Sequence, residues 1–235
     1  MKKGILYLIP VPLAENASAK SFTPYLIDTI NSLDTYIVEN EKTARKFLKE
    51  AGLKTPQSAL IIHDYGKHKR NDSFVPYFKE LMTGKDVGLM SEAGCPGVAD
   101  PGQLLVNVAQ HAGAIVKPLV GPSSILLALM ASGMNGQIFQ FTGYLPIDTN
   151  ERKTALKELE NESAKKNSTQ IFIETPYRNN VLIKQIVETC RSQTQLCIAV
   201  DITGQAEKIT TKTIAEWKKQ LPDIHKKPAI FLLQA

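Results

Sequence analysis

The sequence predicts an α/β fold with two domains, and three observations lead to that prediction. Short apolar, β-branched runs alternate with longer amphipathic stretches, which is the pattern of strand–helix–strand units around a mainly parallel sheet. The texture changes at residues 143–150, where glycine, proline and polar residues suit a linker. With 235 residues, the chain is long enough for one large α/β domain or two small ones.

The first half alternates regularly between strand and helix patterns. Strands are predicted at residues 4–9, 35–38, 59–62, 86–90 and 114–118, and helices at residues 41–51, 74–82, 103–111 and 123–132. The last of these helices is apolar nearly all round, so we expect it to be buried between layers.

The second half begins with a helix signal. Asp148 and Glu151 have the spacing of a capping box, which predicts the start of a charged helix. Further strands are predicted at residues 170–174, 196–201 and 229–234, with a helix at residues 179–191 and another around Trp217. We therefore predict one domain of residues 1–142 and a second of residues 143–235.

Composition narrows the class of protein. Hydrophobic residues make up 43% and charged residues 22%, so a sizeable core is expected. No apolar run reaches the roughly 18 residues of a membrane span, and Pro10 and Pro12 end the first apolar run, which we interpret as a buried strand. Three cysteines without disulfide or metal spacing fit a reducing cytoplasm. The net charge of +5 allows an acidic partner such as nucleic acid without requiring one.

Three loops that directly follow predicted strands are the candidates for chemistry, because ligands of parallel sheets bind at the carboxyl ends of the strands. The richest is SEAGCPGVADPG, residues 91–102. Its glycines allow close approach of the backbone to a ligand, its prolines stiffen it, and its acids can accept hydrogen bonds from hydroxyl or amine groups. A structural turn is the alternative, but its length and its density of glycine and proline favour a functional loop.

The other two loops carry weaker signals. In Gly121-Pro122-Ser123-Ser124, a serine can cap the following helix, or the exposed N–H groups can receive a carboxylate. The loop of residues 10–16 contains no glycine, and neither G-x-G-x-x-G nor G-x-x-x-x-G-K-[ST] occurs in the chain. This argues against a standard Rossmann dinucleotide site and against a P-loop NTPase.

Motifs for metal binding or for a nucleophile are absent from the sequence. The four histidines have no metal-binding spacing, Cys95 has no evident base beside it in the sequence, and no G-x-S-x-G motif is present. We therefore expect chemistry without a metal ion.

Four segments also occur, in matching order and spacing, in a known family. They are SEAGCPGVADPG at 91–102, VGPSSILLALMASGM at 120–134, FQFTGYLP at 139–146 and IFIETPYRN at 171–179. Together they resemble the tetrapyrrole methylase superfamily, and within it the methyltransferases of small-subunit ribosomal RNA. The resemblance covers roughly residues 6–217.

The resemblance implies two α/β domains of the tetrapyrrole methylase type, with S-adenosylmethionine in the cleft between them, and a homodimer. The domain of residues 1–142 would carry the cofactor loops, and the domain of residues 143–235 would complete the cofactor and substrate cleft. The cofactor contacts carried over to this chain are Pro10, Ser91, Ala93, Gly94, Cys95, Pro96, Val98, Ser123, Ser124, Ile173, Ile202 and Ala229.

The sequence departs from the family pattern at several motifs. The usual P-I-G-N is replaced by Pro12-Leu13-Ala14-Glu15-Asn16, and E-D-T-R by Glu39-Asn40-Glu41-Lys42. The H-E-H-N-E stretch differs at residues 63–68, and Gly204 stands where a lysine would follow Thr203. The changes lie on the substrate side, which suggests the same reaction type and leaves the acceptor open.

The first functional hypothesis is 2′-O-methylation of a cytidine ribose in small-subunit ribosomal RNA. A ribose hydroxyl is a weak nucleophile, and Glu39, Glu15 and Asp100 are the candidate bases, although each could be an ordinary cap or surface acid. Arg45, Lys46, Lys67 and Arg70 are the candidate contacts to RNA phosphates. The alternatives are methylation of a tetrapyrrole or other small molecule, and a cofactor-binding module without catalysis.

Overall fold

The computed structural model describes residues 3–66 and 78–235. The chain divides into two compact units, residues 1–123 and residues 124–235. No helix within the described residues is both long and apolar enough to cross a membrane.

The first unit contains a five-stranded parallel sheet, as the alternation of patterns predicts. Its strands follow the order β3-β2-β4-β1-β5, and every neighbouring pair is parallel. The strands are β1 Ile5–Leu8, β2 Thr35–Val38, β3 Ile61–Asp64, β4 Val87–Met90 and β5 Ile115–Pro118. Strand β3 begins two residues later than predicted because residues 57–59 form a 3₁₀ turn.

The helices of this unit are α1 Ser18–Ser21, α2 Pro24–Ser32, α3 Glu41–Glu50, α4 Lys79–Met82 and α5 Gly102–His111. Sequence patterns missed α1 and α2. Helix α2 begins with two recognised signals, because Thr23 Oγ1 accepts a hydrogen bond from the Leu26 N–H at 3.1 Å and Pro24 is the first helical residue. Of the helix predicted at 74–82, residues 74–77 lie outside the described part of the chain.

The central strands β2 and β4 are buried on both faces, which explains their mainly apolar sequences. Tyr36 and Val38 of β2 point to a core that they share with Ile30 of α2 and Phe47 of α3. Ile37, on the opposite face, belongs to a second core. That core also contains Leu6, Leu81, Leu89, Leu105 and Ala109. Helices α2 and α3 therefore cover one face of the sheet, and helices α4 and α5 cover the other.

The second unit contains a mixed sheet in the order β6-β7-β10-β8-β9. Its strands are β6 Phe139–Tyr144, β7 Thr169–Ile173, β8 Gln195–Val200, β9 Lys208–Thr213 and β10 Ala229–Gln234. Strands β6 and β7 are parallel, whereas β10 is antiparallel to β7 and β8, and β9 is antiparallel to β8.

The helices of the second unit are α6 Ser124–Ser132, α7 Thr149–Lys166, α8 Asn179–Thr189 and α9 Ile214–Trp217. The predicted start of α7 is confirmed, because the Asp148 carboxylate accepts hydrogen bonds from the N–H groups of Asn150 and Glu151 at 2.8 and 3.0 Å. A core cluster includes Phe172, stacked on Phe231 with ring centroids 5.9 Å apart, and Trp217.

The division between the units lies before the predicted boundary at residues 142 and 143. The reason is that α6 and β6 pack with the second sheet. Thr211 Oγ1 donates to the carbonyl of Ser132 at the end of α6 at 2.8 Å, and β6 pairs with β7. The segment that the sequence suggested as a linker therefore begins inside a strand.

Helix α6 is not buried on all sides, contrary to prediction. Ala128, Leu129 and Ser132 are buried, but Leu126 is 51% exposed and Met130 is 79% exposed. The helix packs against β9 and β10 on one side, so its other apolar side faces solvent in the single chain.

Candidate functional site

The carboxyl ends of β1, β2, β4 and β5 lie at the same edge of the first sheet, since all its strands are parallel. Strands β2 and β4 are neighbours in the sheet. The connection after β2 leads to β3 on one side, whereas the connection after β4 leads to β5 on the other side. Such a switch in direction opens a crevice at the carboxyl ends of α/β sheets. The three candidate loops follow β1, β4 and β5, so the structure brings the first residues of these loops to the same edge of the sheet.

The first loop, residues 10–16, and the second, glycine-rich loop, residues 91–102, are joined directly. Val11 and Gly94 form an antiparallel bridge in which each N–H donates to the other carbonyl at 3.0 Å. Gly94 has a φ of +72°, in the left-handed region that favours glycine. The bridge fixes the position of residue 94 over the end of β1.

The third loop, residues 121–124, packs on the first loop through Gly121. A Cβ atom at Gly121 would lie 2.2 Å from Cβ and Cγ of the buried Pro10. Because real side chains do not approach that closely, only glycine allows these two loops to pack in this way. Pro10, Gly94 and Gly121 thus form one rigid support at the strand ends.

Asp100 holds the glycine-rich loop from inside. Its carboxylate accepts hydrogen bonds from the N–H of Gly97 at 3.0 Å and from the N–H of Gly102 at 2.6 Å. Burial raises the pKa of Asp100, while these backbone hydrogen bonds oppose that rise. This predicted base is therefore engaged in fixing its own loop.

Cys95 is also turned toward the protein. Its thiol Sγ lies 3.3 Å from the carbonyl oxygen of Pro122, to which it can donate a hydrogen bond. Burial and the nearby Asp100 carboxylate raise the pKa of this thiol, so the thiolate is disfavoured. The contact gives Cys95 a role in joining the second and third loops, which agrees with the absence of an evident base in the sequence.

A pocket of about 240 Å³ lies between the first loop, α3 and residues 91–93. Glu15, Lys46 and Glu50 line it, and Lys46 Nζ lies 3.8 Å from Glu15 Oε1 and 4.0 Å from Glu50 Oε1. Pockets for drug-sized ligands measure about 300–1,000 Å³, so this pocket is smaller than that range. Two of the predicted functional residues, Glu15 and Lys46, are therefore brought together.

Glu39, at the end of β2, lies next to this pocket. Its Oε2 accepts a hydrogen bond from the N–H of Glu92, which lines the pocket, at 3.2 Å. Its own N–H donates to the carbonyl of Met90 at the end of β4 at 3.2 Å. The carboxylate is thus held across the gap between the two strands whose connections run in opposite directions.

Asn40 and Asp64, which sequence patterns did not assign to the site, fix the chain beside Glu39. The Asn40 side chain caps α3 by accepting from the N–H groups of Lys42 and Thr43 at 3.0 and 3.2 Å. Asp64 Oδ2 accepts from the N–H of Glu41 at 3.2 Å. An asparagine directly before a helical pattern is a recognised start signal, so Asn40 could have been identified. The contact of Asp64 depends on the pairing of β2 with β3.

The basic residues predicted to contact RNA fall into three groups. Arg45 is bonded to Glu41 at 2.7 Å and to the carbonyl of Gln57 at 2.7 Å, so it ties α3 to the 3₁₀ turn. Lys46 has a 66% exposed side chain and reaches the pocket. Lys67 and Arg70 lie outside the described residues.

The remaining predicted cofactor contacts of the glycine-rich and third loops differ in exposure. Ser91 and Pro96 are buried, and Ser91 Oγ donates to the carbonyl of Ala93 at 3.2 Å. Ala93 and Val98 are exposed, and Ser123 and Ser124 are half-buried. These loops therefore contain both exposed apolar atoms and half-buried hydroxyl groups.

In the second unit, the predicted cofactor contacts lie together at one edge of the sheet. Ile173, at the end of β7, is opposite Ile230, and Ala229 is opposite Val200. Ile202 lies two residues after Val200, the last residue of β8. The Asp201 N–H between them donates to the carbonyl of Pro228 at 2.9 Å, which holds this segment beside the start of β10. The register therefore places Ile173, Ile202 and Ala229 at neighbouring strand ends.

The glycine that replaces the family lysine has a local explanation. A Cβ atom at Gly204 would lie 2.2 Å from both carboxylate oxygens of Asp201. That carboxylate accepts from the N–H of Ala206 at 2.9 Å, and the Gly204 N–H donates to the Asp201 carbonyl at 2.8 Å. The turn is closed around Asp201, so a side chain at 204 would displace the carboxylate.

Comparisons with known proteins identify the family and the relatives of this chain. The sequence profile of the Tetrapyrrole (Corrin/Porphyrin) Methylases matches residues 11–218. The chain is 31% identical over 212 residues to "Ribosomal RNA small subunit methyltransferase I" of Vibrio cholerae, covering 90% of this chain and 69% of the relative. The protein of that name from Bacillus subtilis is 30% identical over 213 residues, covering 91% and 68%.

The fold is also found among solved structures. The crystal structure of the methyltransferase CobJ matches with a TM-score of 0.64 and 16% sequence identity, covering 100% of this chain and 94% of that one. At this low identity the similarity concerns the fold alone. It confirms the α/β class with two sheets that the sequence predicts.

Proposed function

Because the chain belongs to the tetrapyrrole methylase family and is a methyltransferase, we propose that it methylates a cytidine ribose 2′-hydroxyl in small-subunit ribosomal RNA with S-adenosylmethionine. The names of the relatives from Vibrio cholerae and Bacillus subtilis support the RNA acceptor. The observation that carries the proposal is the position of Glu39. Its carboxylate is held at the strand ends beside the pocket that Glu15 and Lys46 line.

The donor would contact residues of both units. In the first unit these are Pro10, Ser91, Ala93, Gly94, Cys95, Pro96, Val98, Ser123 and Ser124, and in the second unit Ile173, Ile202 and Ala229. When bound, S-adenosylmethionine supplies a methyl group on a positively charged sulfur. The assignment rests on the family resemblance and is supported by the stiff, bridged loops at the edge of the first sheet.

The protein's own contribution is to hold the acceptor hydroxyl and to accept its proton. Positioning of two reactants can supply most of the acceleration of a displacement reaction. Glu39 is the first candidate base because its carboxylate is anchored at one oxygen by the Glu92 N–H. Glu15 is the second, since its side chain is 87% exposed and lines the pocket. Asp100 is the third, because both its oxygens accept from the N–H of Gly97.

The RNA would be held mainly through charge. The net charge of +5 favours an anionic partner, and Lys46 in the pocket can contact a phosphate next to the target ribose. Arg45, Lys67 and Arg70 remain proposed contacts on the basis of the sequence. A ribosomal RNA substrate would place the enzyme in the cytoplasm.

We further propose a homodimer. Large apolar side chains of α6 and β6 are exposed in the single chain, including Leu126, Met130 at 79%, Phe139 and Tyr144 at 60%. Exposed apolar surface of this kind is typical of protein interfaces, and a second copy is the commonest partner. In sedimentation velocity, the wild type should be a dimer and Met130→Lys a monomer. Val181→Lys, at an exposed apolar residue of α8, is the matched control, and a monomeric wild type would contradict the proposal.

The test of the proposed function uses labelled S-adenosylmethionine and small ribosomal subunits from a strain that lacks this gene. Calorimetry first measures binding of the donor and of its demethylated product. Label in small-subunit RNA, mapped by nuclease digestion to one ribose, is the expected result. Label on a porphyrin-like acceptor alone would favour a small-molecule methyltransferase. Binding of the donor without any methylated product would favour a module without catalysis.

A further inference from the structure

The second unit presents an aromatic ring to solvent at the turn between β7 and α8. Tyr177 is 69% exposed, whereas Phe172 and Phe231 of the neighbouring strands are fully buried. The ring is therefore not part of the core. Exposed tyrosines on surfaces are common, so its surroundings decide whether it has a role.

The turn that carries Tyr177 is fixed to a second turn, residues 223–227. The Lys226 N–H donates to the carbonyl of Pro176 at 2.9 Å. Asn179, the first residue of α8, donates through Nδ2 to the carbonyl of Lys227 at 2.7 Å and is fully buried. The two turns are thus joined by hydrogen bonds on both sides of Tyr177, which limits the positions of its ring relative to residues 225–227.

Cationic and aromatic groups surround the ring. Lys226 Nζ lies over it, 5.8 Å from the centroid, and the His225 ring lies 6.1 Å away at an interplanar angle of 76°. His225, Lys226 and Lys227 are exposed. Lys226 has a φ of +62°, a region that non-glycine residues seldom adopt. Most of the Tyr177 side chain stays open to solvent in this arrangement.

The acidic groups nearby are already engaged. Glu174 is buried, and its Oε1 accepts from Arg178 Nε and Nη2 at 2.9 and 2.7 Å. Asp223 Oδ1 accepts from Asn180 Nδ2 at 2.8 Å and from the His225 N–H at 3.1 Å. Two exposed lysines therefore stand against one exposed carboxylate, which favours an anionic partner.

We propose that Tyr177, His225, Lys226 and Lys227 form a single-stranded RNA contact site, in which the tyrosine stacks on a nucleobase and the lysines contact the adjoining phosphates. An aromatic face beside ammonium groups matches the two parts of a nucleotide, and stacking accepts any base. The inference rests on the proposed function. Lys227 is followed by Pro228 and Ala229, so the contact site borders the strand ends assigned to the cofactor in the second unit.

The test measures binding of a fluorescently labelled, short single-stranded oligoribonucleotide to the full-length protein by anisotropy. Tyr177→Ala should weaken binding about ten-fold or more, since it removes one stacked base, and Tyr177→Phe should keep binding within about two-fold. The double variant Lys226→Gln, Lys227→Gln should lower the slope of log affinity against log salt by roughly 0.7 for each lost phosphate contact. Tyr25→Ala, at another exposed tyrosine, is the matched control.

Further measurements separate this inference from the proposed function. Affinity for S-adenosylmethionine should be unchanged in every variant, and the KM for small ribosomal subunits should rise in Tyr177→Ala. If Tyr177→Ala binds RNA as the wild type does while the wild type methylates RNA, the contact site is wrong and the function stands. If the wild type methylates no RNA, but the wild type binds the oligonucleotide and Tyr177→Ala does not, the contact site stands and the function is wrong. Equal competition by an acidic polypeptide and by RNA would overturn the assignment of the partner.

Discussion

The two sheets carry their candidate residues at edges that are built differently. In the first unit all strands are parallel, so every carboxyl end lies at the same edge and the loops follow directly. In the second unit the corresponding edge combines the ends of β7 and β8 with the start of β10. Ala229 reaches that edge because β10 runs in the opposite direction to its neighbours.

The edges are also stabilised by different interactions. Backbone hydrogen bonds and close glycine packing hold the first edge, as at Val11, Gly94 and Gly121. A buried carboxylate with its arginine, Glu174 and Arg178, holds the turn at the second edge. The first edge should therefore respond most to added side-chain volume, and the second to loss of charge.

The largest effect is expected at Glu39, the proposed base at the first edge. Glu39→Gln should lower the rate of methyl transfer about 10²–10⁴-fold, because the amide cannot accept the proton of the hydroxyl. Affinity for S-adenosylmethionine should stay within about two-fold, which calorimetry would measure. Glu158→Gln, at an exposed acid of α7, is the control. Wild-type rates in Glu39→Gln would move the role to Glu15.

At the second edge, the ion pair between Arg178 and Glu174 can be removed by substitution. Arg178→Leu would leave the buried Glu174 carboxylate without its partner and should lower the free energy of unfolding by about 3–5 kcal/mol. Lys166→Leu removes an exposed partner of Glu162 and should cost about 1 kcal/mol or less. Denaturation in urea measures both. Equal losses in the two variants would show that burial of Glu174 does not set the cost.

A smaller loss is expected from added volume at the first edge. Gly121→Ala would place a methyl group against Pro10 and should lower the free energy of unfolding by about 1–3 kcal/mol. Gly136→Ala meets no atom within 4 Å and is the matched control. Thermal unfolding would compare the two variants. If Gly121→Ala were as stable as Gly136→Ala, the loops would not be packed as described.

The smallest effect concerns the thiols of the two units. Burial and Asp100 raise the pKa of Cys95, so its alkylation by iodoacetamide should reach half its maximal rate above the ordinary thiol value of about 8.5. Asp100→Asn removes the negative charge and should lower that midpoint. Cys190, whose pKa burial raises to about 12, should react more slowly than Cys95 at every pH below that value. Mass spectrometry of alkylated peptides would follow each site, and a midpoint of Cys95 below the ordinary value would contradict the described contact.

Sequence patterns predicted the elements that carry strong local signals. The five strands of the first unit and its helices α3 and α5 were predicted to within two residues, and β2 was predicted without error. The start of α7 was predicted from Asp148 and Glu151, because an N-cap depends on residues within one helical turn. The loops of the first edge were likewise predicted, since in a parallel sheet the position after a strand suffices.

Elements that depend on their neighbours were missed. Strand β9, KITTKT, has lysines and threonines that resemble a loop, but they suit an edge strand with one side in solvent. Strand β6 was not predicted, and its last two residues, 143 and 144, were assigned to the linker of residues 143–150. Gly143 has a φ of +71°, and this part of β6 shifts its register with β7. Pairing with another strand decides both elements, since β9 pairs with β8 and β6 pairs with β7.

By itself, the sequence determined the α/β class, the family and the loops at the first edge, because periodicity and short motifs are local properties. Tertiary structure alone decided that Asp100 holds its loop, that Arg45 is engaged with Gln57, and that Ile173, Ile202 and Ala229 lie at neighbouring strand ends. These facts depend on contacts between residues that are close only after folding. An acid in a loop has the same sequence signature whether its carboxylate faces a substrate or a backbone N–H, and only the fold distinguishes the two.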